Sequence, residues 1–388
     1  MAKGNGSNMI VGLDGKRAVL NNTGLGNYSR YYLNIMSLAF PSTRFRLYTP
    51  VLRTNERLEP LLARENIEVF APSLKPSCGI TKAWWRSVDM PLQLKADDVT
   101  LYHGLSNELP LTIKGVCPAI VTIHDLIYRR HPKGYSAVDR RLYDFKYSRS
   151  ARSATRVIAI SERTKADLMA DYDIPENKID VIYQGVDPIF TLNIDTARRQ
   201  EVRERYHLPD RYILAVGTVE ERKNLMLAIE ALRQLPTTLK LVIVGRMTSH
   251  YAAHVKEAIG RYGLADRIMH IDARFDDLPV LYADAVCTSY TSRYEGFGLP
   301  VVESLTVGTP VIACTGSCLE EAGGPGAVYI DPDDVGAYAE AALHFTDDMV
   351  FRDKTARLGR SYVRRFSADA FAKATMATYN KAIIDSLS

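Results

Sequence analysis

The sequence predicts an α/β protein of two domains, each a parallel sheet with helices on both faces. Three observations carry this. Strand-like apolar runs alternate with helical patterns along the whole chain. Those runs are continuous in Val, Ile and Leu rather than alternating in polarity, as strands buried on both faces require. The length of 388 residues exceeds what one hydrophobic core usually covers.

Taken in order, strands are expected in the first half at Met9–Asp14, Arg44–Tyr48, Ile67–Ala71, Val99–His103, Ala119–His124, Arg156–Ile160 and Lys178–Tyr183. Helical periodicity lies between them at Asn27–Ala39, Thr81–Leu94, Ala137–Ala154 and Arg163–Tyr172. Gly185-Val-Asp-Pro188 then ends a strand with turn residues, which places the seam between domains at about 187/188. The second half repeats the grammar, with strands at Tyr212–Gly217, Lys240–Gly245, Ile268–Ile271, Ala285–Tyr290, Pro310–Cys314 and Ala327–Ile330. Helices separate these at Leu225–Leu235, His250–Tyr262, Leu278–Ala283, Val301–Val307 and Gly336–Phe345, and Val350–Phe366 and Ala368–Asp385 close the chain. Two such halves read as two Rossmann-like domains.

Composition is that of a globular protein, with 46% apolar and 24% charged residues. No apolar run is long enough to span a bilayer. The polar start, Met-Ala-Lys-Gly-Asn-Gly-Ser-Asn, lacks the apolar core of a signal peptide and reads as a tail. Five scattered cysteines without a Cys-x-x-Cys pair predict reduced thiols, core packing and a cytoplasmic protein. Trp84-Trp85 with Leu92 and Leu94 is expected to pack in the first core, the alternative being an amphipathic element that contacts a membrane. From His124 to Lys165 the net charge is +7, against −3 for the rest of the chain. That segment reads either as a solvated helix or as a face for an anionic acceptor or membrane surface. No nucleic-acid partner is expected.

In open parallel sheets, ligands bind beyond the carboxyl ends of the strands. Four groups of residues fall there. Thr23-Gly-Leu-Gly-Asn-Tyr28 puts Gly24 and Gly26 in the loop after the first strand, where backbone can approach a phosphate. His124, ending the fifth run, can donate to a sugar hydroxyl or to developing charge. Arg222 and Lys223, opening a helix after Thr218, can neutralise a departing pyrophosphate without a metal. The segment Tyr290–Cys314 runs from a strand through Glu295-Gly-Phe-Gly298 to a helix start at Pro300, an end suited to anions. Glu295 and Glu303 are either a general acid/base pair or two holds on one ligand, Glu303 then accepting from ribose hydroxyls. His250 and His254 share a helical face but lack further ligands, so no metal site is expected.

These motifs together resemble the family 4 glycosyltransferases of the GT-B fold that build bacterial polysaccharides. The resemblance rests on residues 23–28, Val-Thr-Ile-His-Asp-Leu at 121–126, Arg-Val-Ile-Ala-Ile-Ser-Glu at 156–162, residues 179–187 and 214–225, and above all Glu-Gly-Phe-Gly-Leu-Pro-Val-Val-Glu at 295–303. It implies transfer of a sugar, with retention and without a metal cofactor, from a nucleotide-diphospho-sugar held by domain 188–366. The acceptor, a glycan or lipid-linked saccharide, would be held by domain 1–187, onto which helix 367–388 packs back. By the same resemblance Arg222, Lys223, Gly26 and the loop Gly296, Phe297, Gly298 and Leu299 meet the diphosphate. Glu295 holds sugar hydroxyls, Glu303 the ribose diol, and His124 lies near the reacting sugar. The adjacent Arg222-Lys223-Asn224 is similar to a mannosyltransferase-rich subgroup and favours GDP-mannose. Replacing Glu295 by Ala is expected to depress turnover sharply and to leave the fold and melting temperature nearly unchanged. A same-fold epimerase or phosphorylase, or a silent nucleotide-sugar-binding protein, are the alternatives.

Overall fold

The computed structural model describes residues 9–21, 24–72 and 78–387. The polar N-terminal tail and Thr23 lie outside the described residues. The chain forms two compact units, one of Met1–Arg129, Tyr135–Gln184 and Ala368–Ser388, the other of Arg130–Gly134 and Gly185–Ser367.

The first unit holds strands β1 (Ile10–Asp14), β2 (Arg44–Tyr48), β3 (Ile67–Phe70), β4 (Leu101–Gly104), β5 (Ala119–Ile123), β6 (Arg156–Ala159) and β7 (Ile179–Val181). They pair in parallel in the order β3-β2-β1-β4-β5-β6-β7. The inner strands β4 and β5 are buried at every position, which is why their sequences carry no alternation. The last helix, Ala368–Asp385, packs Phe371, Ala372, Tyr379 and Ala382 into the core around Tyr28, Tyr32 and Leu33.

The second unit holds β8 (Tyr212–Val216), β9 (Lys240–Val244), β10 (Ile268–Ile271), β11 (Cys287–Tyr290), β12 (Val311–Cys314) and β13 (Ala327–Ile330). Its order is β10-β9-β8-β11-β12-β13, again parallel throughout.

Four differences from the expected elements have physical causes. The glycine-bearing segment is not a loop: after a short helix, Lys16–Leu20, the next helix begins at Gly24 and runs to Ala39. A Cβ on Gly26 would lie 1.8 Å from the carbonyl oxygen of Asn21, so this glycine lets the helix start against the preceding turn. The expected helix Thr81–Leu94 is Gly79–Trp84, a π-helical turn Trp85–Asp89 and Met90–Ala96, with Pro91 in the first turn of the last piece. Its apolar residues divide: Trp85 and Leu94 are buried, whereas Trp84 and Leu92 face solvent. Helix Thr196–Tyr206 escapes a periodicity search because only Val202 of it is buried. Among the described residues no helix is long and apolar enough to cross a membrane.

Candidate active site

In the second sheet β8 and β11 are neighbours, with β9 and β10 on one side and β12 and β13 on the other. The loops leaving β8 and β11 therefore diverge, and the crevice at such a reversal point is where open parallel sheets bind ligands. Gly217, at the end of β8, has φ +139°, a region closed to most side chains. A Cβ there would also come within 3.3–3.4 Å of the Lys223 side chain, so the glycine clears the path of that lysine.

Rather than opening a helix, Glu221–Lys223 forms a 3₁₀ turn, and Asn224 takes a left-handed conformation (φ +53°) before helix Leu225–Leu232. Asn224 donates through Nδ2 to the carbonyl of Pro332 at 2.7 Å. The turn is laced to the loop after β11. The Arg293 amide donates to the Arg222 carbonyl at 2.9 Å, Arg222 Nη1 to the Tyr294 carbonyl at 2.6 Å, and the Thr291 hydroxyl meets the Lys223 and Asn224 carbonyls at 3.1 Å. Two loops distant in sequence thus become one rigid support.

That support carries Glu295, which is 8% exposed. Its Oε1 receives Lys223 Nζ at 2.8 Å, Arg222 Nη1 at 2.7 Å, the Tyr290 hydroxyl at 3.0 Å and the Ser292 hydroxyl at 2.8 Å. None of these four contacts falls on Oε2. Burial alone would raise the Glu295 pKa, but Lys223 and Arg222 outweigh it and hold the carboxyl at about 2. Glu295 in turn keeps both bases charged: burial works against them, and the carboxylate raises both pKa values. Lys223 also sits 4.9 Å from the centre of the Tyr290 ring, a cation–π contact. The two cations expected on the phosphates and the carboxylate expected on the sugar thus stand in one ion-paired cluster.

From Glu295 the chain turns through Gly296, Phe297 and Gly298 into helix Leu299–Val307, capped by Gly298 at φ +108° with Pro300 in the first turn. A Cβ on Gly298 would approach Leu319 to 2.8 Å. Phe297 is buried and meets the Phe366 ring edge-on at 5.2 Å, so its side chain anchors the loop. The Cys318 thiol lies 3.1 Å from the carbonyls of both Glu295 and Phe297 and pins the same loop. The helix thus presents its N-terminal amides beside Glu295, an anion-attracting end. Glu303 lies beyond the first turn; Oε2 accepts from the Tyr282 hydroxyl at 2.8 Å. Burial raises its pKa to about 7, with Asp187 adding to the shift.

His124 belongs to the first unit. Nε2 lies 2.8 Å from the Leu105 carbonyl and so carries the proton, its amide donates to Asn107 Oδ1 at 2.7 Å, and its ring stands edge-on to Tyr28 at 4.6 Å. Burial lowers its pKa to about 4, so the imidazole is neutral at physiological pH, with Nδ1 as acceptor. It cannot be a cationic group there.

Several residues of these sites carry no motif signal. Tyr290 reads as the end of a strand, Ser292 as part of the loop after it, and Cys318 as core. In the first sheet the order reverses at β1 and β4. There Asp14, 2% exposed, pairs with Arg86, and Arg86 pairs with Glu108 at 3.3 Å, which Lys146 meets at 3.4 Å. Arg86 lies in the π-helical turn, a feature frequent at functional sites. Asp14 ends a predicted strand, but no motif marks it, Arg86 or Glu108 as a site residue. His250 and His254 are exposed on one helix, and no group of three or more His, Cys, Asp or Glu among the described residues is arranged to hold a metal ion.

Comparison with known proteins gives this site its class. Residues 198–361 match the family described as glycosyl transferases group 1, and residues 44–190 match glycosyltransferase family 4. The O-antigen chain mannosyltransferase B of Escherichia coli is 26% identical over 72% of this chain and 74% of its own length. The O-antigen chain mannosyltransferase RfbU of Salmonella typhimurium is 26% identical over 64% of this chain and 65% of its own. A crystal structure of Anabaena HepE in complex with UDP and glucose superposes with a TM-score of 0.74, at 18% identity, covering 97% of this chain and 100% of that one. The fold is GT-B, two parallel-sheet α/β domains. The chain belongs to the group 1, family 4 glycosyltransferases and is an enzyme of sugar transfer resembling their mannosyltransferases.

Proposed function

We propose that this glycosyltransferase moves a hexose from a nucleotide-diphospho-sugar to a hydroxyl of a glycan or lipid-linked saccharide, with retention of configuration and without a bound metal. The observation that carries the reading is the Arg222–Lys223–Glu295 cluster at the reversal point of the second sheet, beside the helix end at Leu299. As the bond from the sugar's anomeric carbon to phosphate oxygen breaks, the electron pair passes to the diphosphate. Two fixed cations and a helix N-terminus are preorganised to take up that charge, the largest contribution available to such a step. Glu295 holds the cations in place through Oε1 and offers Oε2 to donor-sugar hydroxyls. Glu303 accepts from the ribose diol. His124, neutral and with Nδ1 as acceptor, takes a hydrogen bond from a sugar hydroxyl. On the first unit, Asp14 and Glu108 are the carboxylates suited to acceptor hydroxyls, oriented by Arg86.

Mannose is the favoured sugar and GDP the favoured carrier, on the strength of the two mannosyltransferase relatives and the Arg-Lys-Asn sequence. Their O-antigen substrates favour a role in surface polysaccharide synthesis. The test is a thermal-shift panel of GDP-mannose, GDP-glucose, UDP-glucose and UDP-galactose, since a ligand at a hundred times its Kd adds about 2.7 kcal/mol of stability. Assay of the binder against saccharide acceptors follows, with and without EDTA. The reading expects stabilisation by GDP-mannose and chelator-resistant transfer; stabilisation by no nucleotide sugar overturns it.

A further inference from the structure

The second unit carries a cavity at the edge of its sheet where β8, β11 and β12 begin. Arg211 precedes Tyr212, Ala285 and Val286 precede Cys287, Thr309 and Pro310 precede Val311, and all five of these preceding residues line the cavity. The strands are parallel, so this edge is opposite to the one where Arg222, Lys223 and Glu295 stand. Ligand placement beyond the carboxyl ends of strands does not account for it. Its volume is about 490 Å³, within the range of pockets that hold small organic ligands.

Four arginines converge on it: Arg199 and Arg203 from helix Thr196–Tyr206, Arg211 from the turn before β8, and Arg352 from helix Met349–Val363. Asp284 takes Arg199 Nη1 on Oδ1 at 3.0 Å and Arg203 Nη1 on Oδ2 at 3.3 Å, so both of its oxygens are engaged. Arg203 also reaches the fully exposed Asp210 at 3.6 Å. Arg211 gives Nη2 to the Thr346 carbonyl at 2.7 Å, which fixes the guanidinium without neutralising it. Arg352 shares the lining with Val286, and its charge opposes the rise that burial imposes on the neighbouring Cys287 thiol. Among the described residues no carboxylate pairs with Arg211 or Arg352, and no base pairs with Asp353, which also lines the cavity. Two guanidinium groups without a counter-ion, in a hollow that already holds two others, repel one another, and an anion relieves that repulsion.

We propose that this cavity binds a sugar phosphate, with the phosphate on Arg211 and Arg352 and sugar hydroxyls donating to Asp353. Guanidinium forks match phosphate oxygens, and a carboxylate that is acceptor-only suits hydroxyl donors. A bare anion would be repelled by Asp353, and a neutral sugar would leave the two guanidinium groups unanswered. The loop after helix Leu299–Val307 is prepared for an anion as well. The Val307 carbonyl is taken by Arg360 Nη2 at 2.5 Å and the Thr309 carbonyl by the Ser304 hydroxyl at 2.8 Å, so two oxygens that would repel a phosphate are already engaged. The inference stands apart from the donor assignment, since the two places share no residue.

The test is titration calorimetry of the full chain with mannose 1-phosphate, mannose 6-phosphate, glucose 6-phosphate, inorganic phosphate and mannose. At least one sugar phosphate is expected to bind more tightly than inorganic phosphate, and mannose is expected not to bind. Arg211→Gln/Arg352→Gln should weaken the sugar phosphate about 100-fold or more, and Asp353→Asn about tenfold without weakening inorganic phosphate. Arg352→Gln alone removes a guanidinium that holds no other part of the chain, so it separates ligand loss from any fall in Tm that the pair causes. Lys223→Met, which alters the donor site, should leave the affinity for the sugar phosphate unchanged. No binding of any sugar phosphate, inorganic phosphate binding as tightly as they do, affinity indifferent to the arginine variants or to Asp353→Asn, or affinity lost with Lys223→Met would each overturn the proposal.

Discussion

Glu295 is the residue on which most depends, and its four partners on one oxygen decide what a substitution does. Removing the side chain leaves Arg222 and Lys223 in a protein interior without their counter-ion. Loss of one member of a buried pair costs about 3–5 kcal/mol, so Glu295→Ala should lower the Tm as well as turnover, which revises the expectation that the fold is spared. Glu295→Gln keeps the volume and two of the hydrogen-bonding atoms; with it, kcat should fall by about 10²–10³ under conditions where circular dichroism still reports a folded chain. Glu303 supplies a different readout. Its carboxyl titrates at about 7 in the free protein, and the proposed hold on the ribose diol is strongest when it is an anion. Donor affinity should rise as pH increases through 7 in the wild type and stay flat in Glu303→Gln, measured by calorimetric titration. The sequence pointed to both glutamates because a Gly-Phe-Gly loop between strand and helix has few structural uses. It could not reveal that Lys223 and Arg222 fold onto Glu295, since that pairing crosses 72 residues and depends on the Gly217 and Asn224 backbones.

At the scale of elements, the last helix is fixed by polar as well as apolar contacts. The Tyr379 hydroxyl bonds to that of Tyr32 and lies 2.7 Å from His103 Nδ1, whose Nε2 meets the Thr122 hydroxyl at 2.8 Å. All four residues are buried. Tyr379→Phe therefore leaves a buried imidazole nitrogen and a hydroxyl short of a partner and should cost about 1–3 kcal/mol, read as a lower denaturation midpoint. Periodicity located this helix, and only the family resemblance, not the pattern itself, said that it joins the first core. The same gap explains Gly24 and Gly26. Gly26 is required by the carbonyl of Asn21, a contact made only when two helices meet and therefore invisible in the spacing of the glycines. Strands were legible because continuous Val/Ile/Leu runs have one common use in α/β proteins. The π-helical turn at Trp85–Asp89 was not, because a single inserted residue leaves no mark on a 3.6-residue period.

For the molecule as a whole, each sheet reverses its strand order once, and the charged clusters stand at those two places: Asp14–Arg86–Glu108 in the first unit, Arg222–Lys223–Glu295 in the second. The rule that ligands bind past strand ends brought Arg222, Lys223 and Glu295 forward from sequence, though not their pairing. The first stayed hidden because its members are single residues in unrelated segments. The buried groups also set a pH dependence. Burial lowers His103 to about 3 and His124 to about 4, below the 6.5 of an unfolded histidine. As pH falls below 6.5 the unfolded chain takes up protons that these imidazoles refuse, and each costs about 1.4 kcal/mol per pH unit until its folded pKa is reached. Glu303 acts oppositely: protonated in the fold up to about 7, it gains relative stability as pH falls from 7 towards the 4.5 of an unfolded glutamate. Thermal denaturation in mild acid should therefore be steeper in pH for Glu303→Gln than for the wild type.

The central claim is that Arg222 and Lys223, held on Glu295, receive the diphosphate of the donor. Titration calorimetry of GDP and UDP into the wild type and Lys223→Met tests it most directly, because a nucleoside diphosphate carries the charge in question and no sugar or acceptor. Loss of one charge-assisted contact should weaken the preferred nucleotide by about 10–150-fold, in a variant whose folding a melting curve confirms. An affinity for that nucleotide unchanged by Lys223→Met would contradict the account.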